Sequence, residues 1–333
     1  MRLQGDSSAN GAAGIRPGVL INPLGGRNRR EGRRLLRAAK ASFDLVHQAS
    51  RPRDMEKILH SFVQEGVNLL LVSGGDGTIQ ALLTMLFRNR LFEPVPLLGI
   101  LPGGTTNLIA GDVGIKGSQP AALKCVRRLL EHEDDAGHGF HVVSRPVLRL
   151  HRVGAPDEYG MFLGAAGLYH AVSFYKTRLE GRPLLGRTRV LITALKLFLS
   201  HVWGAAQDKA PDRFKVTVDG NIVFKDSFMF FMVTTLERLL LRMRPFNGPG
   251  SGPLHFLAVR ESRRHLLRVL AAMLAGRQSS CLNEKNGYYS FNATRIILEG
   301  AEGVALDGQL FRPLAQGQGF ILDCAGEVKF LKC

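Results

Sequence analysis

Cysteine is scarce in this 333-residue chain: Cys125, Cys281, Cys324 and Cys333 stand far apart, with no CxxC pair. That excludes a dense disulfide framework and a CxxC-type zinc site, and it fits reduced thiols in a cytoplasmic protein. Long hydrophobic runs are missing too. The longest apolar region, Val190 to Trp203, is broken by Lys196 and falls short of the ~20 residues that span a bilayer. Residues 1–16 contain no hydrophobic segment and read as a disordered tail, not a signal peptide. Acidic side chains are also in deficit: 28 Asp+Glu against 44 Lys+Arg give a net charge of +16. The excess predicts an anionic partner, which nucleic acid, an anionic membrane surface or a polyphosphate ligand would each satisfy. The basic residues are scattered and aromatics make up only 8% of the chain, which argues against nucleic acid.

What is present looks globular. Apolar residues make up 45% and charged residues 22%, and the length suits two domains with real cores. The most informative stretch is Leu69-Leu70-Leu71-Val72-Ser73-Gly74-Gly75-Asp76-Gly77-Thr78. An apolar run ends in a glycine turn, and Ile79, Leu82, Leu83 and Leu86 then repeat at helical spacing, so the pattern is strand, turn, helix. Glycines expose successive N–H groups and a helix N-terminus adds positive potential, so such a turn favours phosphate. Asp76 could hold a metal or take a proton from a hydroxyl. A plain strand-to-helix turn with Thr78 as N-cap is the competing reading.

The turn has companions. Gly18 to Ile21 reads as a strand that runs into Asn22-Pro23-Leu24-Gly25-Gly26 and the cations Arg27, Arg29 and Arg30. A second strand is expected at Phe43 to Val46, and an amphipathic helix through Met55, Ile58, Leu59, Phe62 and Val63 that stops at Gly66. Pro96 to Leu101 reads as a strand leading into Pro102-Gly103-Gly104-Thr105-Thr106-Asn107, and Ser118 and Pro120 open a further helix. Strand and helix thus alternate, with polar glycine turns after three strands. That alternation predicts a Rossmann-like parallel α/β domain over residues 17–137, with ligands beyond the carboxyl ends of its strands. Residues 131–135 read as a solvated linker. Beyond them the pattern becomes β-rich across 138–320: strands at His141 to Val147 and Pro156 to Leu163, and a helix from Leu184 to Trp203. A hairpin turns at Asp219-Gly220, strands follow at Phe228 to Thr234 and Leu254 to Val259, and a helix through Leu266, Leu267, Leu270 and Leu274 closes at Gly276.

Asn22-Pro23-x-Gly25-Gly26, Gly74-Gly75-Asp76-Gly77-Thr78 and Pro102-x-Gly104-Thr105-x-Asn107, in that order and spacing, resemble the diacylglycerol kinase catalytic family, which includes bacterial lipid kinases and sphingosine kinases. The resemblance implies a nucleotide-binding α/β domain followed by a β-rich, sandwich-like acceptor domain. ATP and Mg²⁺ would lie between them, and residues 321–333 would return to the first domain. It carries phosphate contacts onto Gly74, Gly75, Asp76, Gly77, Thr78, Ile79, Gln80, Gly104 and Thr105, beside the Gly25-Gly26 turn, with Asn22 and Asn107 supporting the loops and Asp76 a candidate Mg²⁺ ligand. It also implies an Asp-Gly-Glu whose Asp is the general base; Asp307-Gly308-Gln309 occupies that place, although an ordinary hairpin turn would use the same residues.

Departures include Leu108 where many members have Asp, Gln80 for Asn, Gln309 for Glu, and Gly167-Leu168-Tyr169-His170-Ala171 without the Asp often found there. The implied reaction is transfer of the ATP γ-phosphoryl group to a lipid hydroxyl, such as that of diacylglycerol or a sphingoid base, with peripheral contact to an anionic membrane surface. Two rivals stay open. One is an NAD kinase-like enzyme, for which Asn283-Glu284 supplies a candidate pair; the other is a nucleotide-binding regulator without kinase activity.

Overall fold

A computed structural model of the chain describes residues 14–104, 106–131, 141–178, 212–239, 248–275, 277, 279–315 and 317–332. The expected linker core, the helix from Leu184 to Trp203, Thr105 and Gly276 lie outside the described residues.

The first half builds a parallel sheet from β1 (Pro17–Ile21), β2 (Leu45–Gln48), β3 (Leu69–Gly74) and β4 (Leu97–Pro102), in the order β2-β1-β3-β4. Because side chains alternate across a strand, β1 feeds two layers. Val19 and Ile21 pack with Leu35 and Ala39 of α1 (Asn28–Lys40) and with Leu123 and Val126 of α5 (Gln119–Glu131). Leu20 points the other way, into Leu59 and Phe62 of α2 (Pro52–Gln64), Leu82 and Leu86 of α3 (Asp76–Arg88) and Val113 of α4 (Leu108–Val113). All six residues of β3 are buried, as a central parallel strand covered on both faces must be. The second strand lies two residues later than the pattern suggested, because Phe43 is a core residue of the α1–β2 connection and not of the strand.

The second half is antiparallel. It comprises β5 (His141–Arg152), β6 (Glu158–Gly160), β7 (Phe162–Ala166), α6 (Gly167–Arg178), β8 (Asp212–Val218), β9 (Ile222–Thr234), β10 (Leu254–Arg260) and α7 (Leu266–Leu274). It continues through β11 (Tyr288–Ala293), β12 (Ile296–Glu299), β13 (Val304–Leu306), β14 (Gln309–Phe311) and β15 (Gly319–Lys332). β9 pairs with β8 over residues 222–228 and, beyond that, with β7 and β10 on its two edges. Residues from β5, β7, β8, β9, β10, β12 and β15 therefore enclose one core, with Phe214, Phe228, Phe231 and Phe256 at its centre. The hairpin at Asp219-Gly220 takes positive φ at both turn residues, as a two-residue turn between twisted strands requires.

β15 joins the halves. It pairs antiparallel with β5 along almost its whole length and, at Phe330, lies parallel beside Leu98 of β4. Arg145 of β5 adds a buried ion pair to Asp112 of α4 at 2.9 Å. Among the described residues no helix is long and apolar enough to cross a membrane.

Candidate active site

The carboxyl ends of β1, β3 and β4 carry the three glycine loops, and backbone contacts lock these loops together. The Asn22 amide donates to Ser73 O at 2.8 Å, Gly103 N to Gly74 O at 3.1 Å, and Arg27 N to Gly103 O at 3.0 Å. Gly104 packs so tightly on the backbone of Gly75 that a Cβ at position 104 would overlap Gly75 Cα. The glycines here thus serve first to let loop press on loop.

Two asparagines brace the assembly. Asn22 Nδ2 donates to Thr78 Oγ1 at 2.8 Å, while its Oδ1 accepts from Leu24 N. Asn107, at φ 51, caps α4 in the left-handed region, and its amide group bonds both N–H and C=O of Gly104. Beneath the loops lies a buried polar triad. Ser73 Oγ donates to Gln119 Oε1, Gln119 Nε2 to Asn28 Oδ1 at 2.8 Å, and Asn28 Nδ2 to Ser73 Oγ at 2.9 Å. Asn28 Nδ2 also reaches Asn22 O. Asn28 and Gln119 were not singled out from sequence; polar residues at helix starts give no local sign that they will meet 91 positions apart.

The helix after the central turn begins at Asp76 with Gly75 as N-cap, so Thr78 is not the cap; its hydroxyl is taken by Asn22. Thr78 N and Ile79 N both donate to Gly75 O, and the start of α3 carries the positive end of the helix dipole. Asp76 Oδ1 accepts from Ile109 N at 3.0 Å, so this carboxylate ties the central turn to α4. Burial raises its pKa, and the amides of α4 pull it back down. Ile79 and Gln80 turn away from the loops. Ile79 is in the core, and Gln80 is buried with its amide on Thr84 Oγ1 and Glu158 Oε2, both at 3.1 Å. Their side chains support the turn from behind. Gly26 is exposed at the mouth of the first loop, and Gly25 lies behind it, close against Gly103 O.

The second half reaches this edge through one hairpin. Asp307 and Gly308, at φ 45 and 86, form the turn between β13 and β14, so the turn reading is correct. The same residue also has a buried carboxylate. Asp307 Oδ2 accepts from Met161 N and Oδ1 from Phe162 N, both at 2.9 Å. Only 4% of Asp307 is exposed, and burial lifts its pKa well above the ordinary value, with the charge of Asp76 adding to the rise. The neighbouring Gln309 stands over the first turn of α3: a Cβ on Gly77 would meet Gln309 Nε2 at 2.9 Å. Lys176 of α6 donates to Gln309 Oε1 at 2.8 Å. Lys176 was missed from sequence, since an isolated lysine carries no spacing signal. Asn283, by contrast, accepts from Asn286 N as the cap of a short 3-10 turn (Glu284–Asn286) leading into β11, a local structural role.

A parallel α/β half whose central glycine turn is met by an acid from a β-rich half is the geometry of this candidate site. Residues 16–138 match the diacylglycerol kinase catalytic domain. The chain is similar to the protein named "Probable lipid kinase YegS-like" of Stenotrophomonas maltophilia (strain K279a), with 30% identity over 83 residues, 25% of this chain and 27% of that one. It is also similar to "Probable lipid kinase YegS" of Shigella flexneri, with 43% identity over 67 residues, 19% of this chain and 22% of that one. The matched region spans about a quarter of the length of these relatives. A crystal structure of a diacylglycerol kinase from Bacillus anthracis str. Sterne shares the fold at TM-score 0.54 and 18% identity, covering 95% of this chain and 96% of that one. A second structure from that organism gives TM-score 0.61 and 20% identity over 96% and 97%.

Proposed function

We propose that this protein is an ATP-dependent lipid kinase that transfers the γ-phosphoryl group to a hydroxyl of a lipid such as diacylglycerol or a sphingoid base. One observation carries the reading: a buried carboxylate from the β-rich half, Asp307, sits with its hairpin on the N-terminus of α3. An acid and a phosphate-binding turn, from opposite halves of the chain, thus share one site.

The groups fit that chemistry. Phosphoryl transfer requires alignment and charge neutralisation more than covalent help. The positive end of the α3 dipole and the exposed Gly26 turn favour the phosphates, and Lys176 supplies a cation next to Gln309. Each Asp307 oxygen accepts one amide, which leaves further lone pairs to receive a proton. The acceptor oxygen bonds to the γ-phosphorus, the bond from that phosphorus to the β–γ bridging oxygen breaks, the hydroxyl proton passes to Asp307, and ADP departs. A raised pKa makes Asp307 a stronger base than an ordinary carboxylate, which general-base action exploits. Bound Mg²⁺ would supply neutralisation of phosphate charge, with Asp76 the carboxylate placed to hold it. The cationic excess suits access to lipid at an anionic membrane surface.

The test is incubation of purified protein with γ-labelled ATP and Mg²⁺ against diacylglycerol, a sphingoid base, phosphatidylglycerol and NAD. Label in a lipid, lost in Asp307→Asn, is the expected result. Label in NAD would favour the dinucleotide-kinase alternative. Magnesium-ATP binding without transfer to any acceptor would make the protein a nucleotide-binding regulator and end the kinase reading.

A further inference from the structure

We propose that His170, Asp212 and Glu302 form a binding site for a divalent first-row metal ion, Mn²⁺ or Zn²⁺, separate from the phosphate-binding turn. The three residues come from three elements: His170 from α6, Asp212 from the start of β8, and Glu302 from the turn between β12 and β13. His170 Nε2 is 2.8 Å from Asp212 Oδ2 and 3.9 Å from Glu302 Oε2, and all three donor atoms lie within 4.8 Å of one another. Neighbouring ligands on an ion with bonds of about 2.1 Å stand roughly 3 Å apart, so these spacings bracket a coordination shell and only Glu302 has to draw in.

Within the cluster the hydrogen bond runs between His170 and Asp212. An imidazole nitrogen has one proton or one lone pair, so it can serve one carboxylate, and 3.9 Å is beyond hydrogen-bond reach. The second carboxylate nevertheless faces the same nitrogen. Arg312 holds it there, with its guanidinium 3.7 Å from the other Glu302 oxygen and its Nε donating to the Tyr169 hydroxyl at 2.7 Å. A cation at the centre would take imidazole and both carboxylates as ligands together. One nitrogen and two carboxylate oxygens, without thiolate, suit Mn²⁺ or Zn²⁺. His170 and Asp212 are largely enclosed at 20% and 15% side-chain exposure, and Glu302 at 42% is the rim through which an ion would enter. Such an ion would clamp α6 to β8, and α6 carries the Lys176 that holds Gln309 over Gly77.

The test uses the full chain, stripped with chelator and then titrated with Mn²⁺ under pulsed paramagnetic resonance. The expected result is nitrogen-14 modulation from an imidazole ligand, lost in His170→Ala. Binding at this site should weaken at least tenfold in Glu302→Gln, whose rim position spares the fold. Asp76→Asn and Asp307→Asn should keep the modulation, which separates this site from any magnesium–nucleotide site. Zn²⁺ should raise the unfolding temperature of the wild type but not of Glu302→Gln. Absence of the nitrogen signal, or equal Mn²⁺ affinity in wild type and Glu302→Gln, would overturn the proposal and leave His170–Asp212 as a hydrogen-bonded pair.

Discussion

The two halves bring chemistry to the same place by opposite means. In the parallel half, Asn22, Gly75, Asp76 and Asn107 follow three strands of one sheet, and parallel strands deliver all their following loops to one edge. Contact between those loops is then made largely by backbone, through Gly74, Gly75, Gly103 and Gly104. In the antiparallel half, neighbouring strands alternate direction, and the turn Asp307-Gly308 is the part that stands over the start of α3. Its chemistry rests on single side chains, Asp307 and Lys176, from elements far apart in sequence. In the proposed function the parallel half holds the ligand and the antiparallel half presents one reactive group to it.

Four changes probe that division, the strongest first. Asp307→Asn should lower phosphoryl transfer by about 10²–10⁴-fold while nucleotide binding persists, measured by initial rates and calorimetry. The same variant has a pH signature. The folded pKa of Asp307 lies above its ordinary 3.8, so the wild type, relative to Asp307→Asn, is most favoured below that value. This contribution is lost as pH rises through the folded pKa, and paired thermal melts across the acid range will show whether the difference runs in that direction. Arg145→Leu would strand the buried Asp112 carboxylate and weaken the seam between halves, at a cost of about 3–5 kcal/mol by denaturant titration. Full stability in that variant would mean the seam does not depend on this ion pair. Ser73→Ala opens the buried triad and leaves polar groups of Asn28 and Gln119 unsatisfied, costing about 1–3 kcal/mol. Its KM for ATP should rise more than its kcat falls, since it touches the holding half. Glu65→Gln removes a surface pair with Arg16 and should change stability by no more than about 0.5 kcal/mol.

Legibility in the sequence follows the same line. The three loops could be read because each is a local signal, a strand followed at once by glycines, and the alternation around them specified a parallel sheet. Asp307 was readable only through its Asp-Gly-Gln neighbourhood, and nothing local distinguished a surface turn from a buried acid: the amides that enclose it belong to Met161 and Phe162. Thr78 misled because a hydroxyl near a helix start usually caps it, whereas here Asn22 claims that hydroxyl from 56 residues away. The resemblance carried phosphate contacts onto Ile79 and Gln80, whose side chains face the core and the β6 seam. α4 and α6 escaped notice, the first for its six residues and the second for its mixed composition.

The strand at residues 319–332 has a consequence for how the molecule is made and how it moves. Among the described residues β15 is the strand that lies on the outer edge of β4, so the parallel sheet is completed by residues translated long after its own. Once zipped in, the strand makes any widening of the gap between the halves a bending of one continuous ribbon, not the swing of a door on a loose tether.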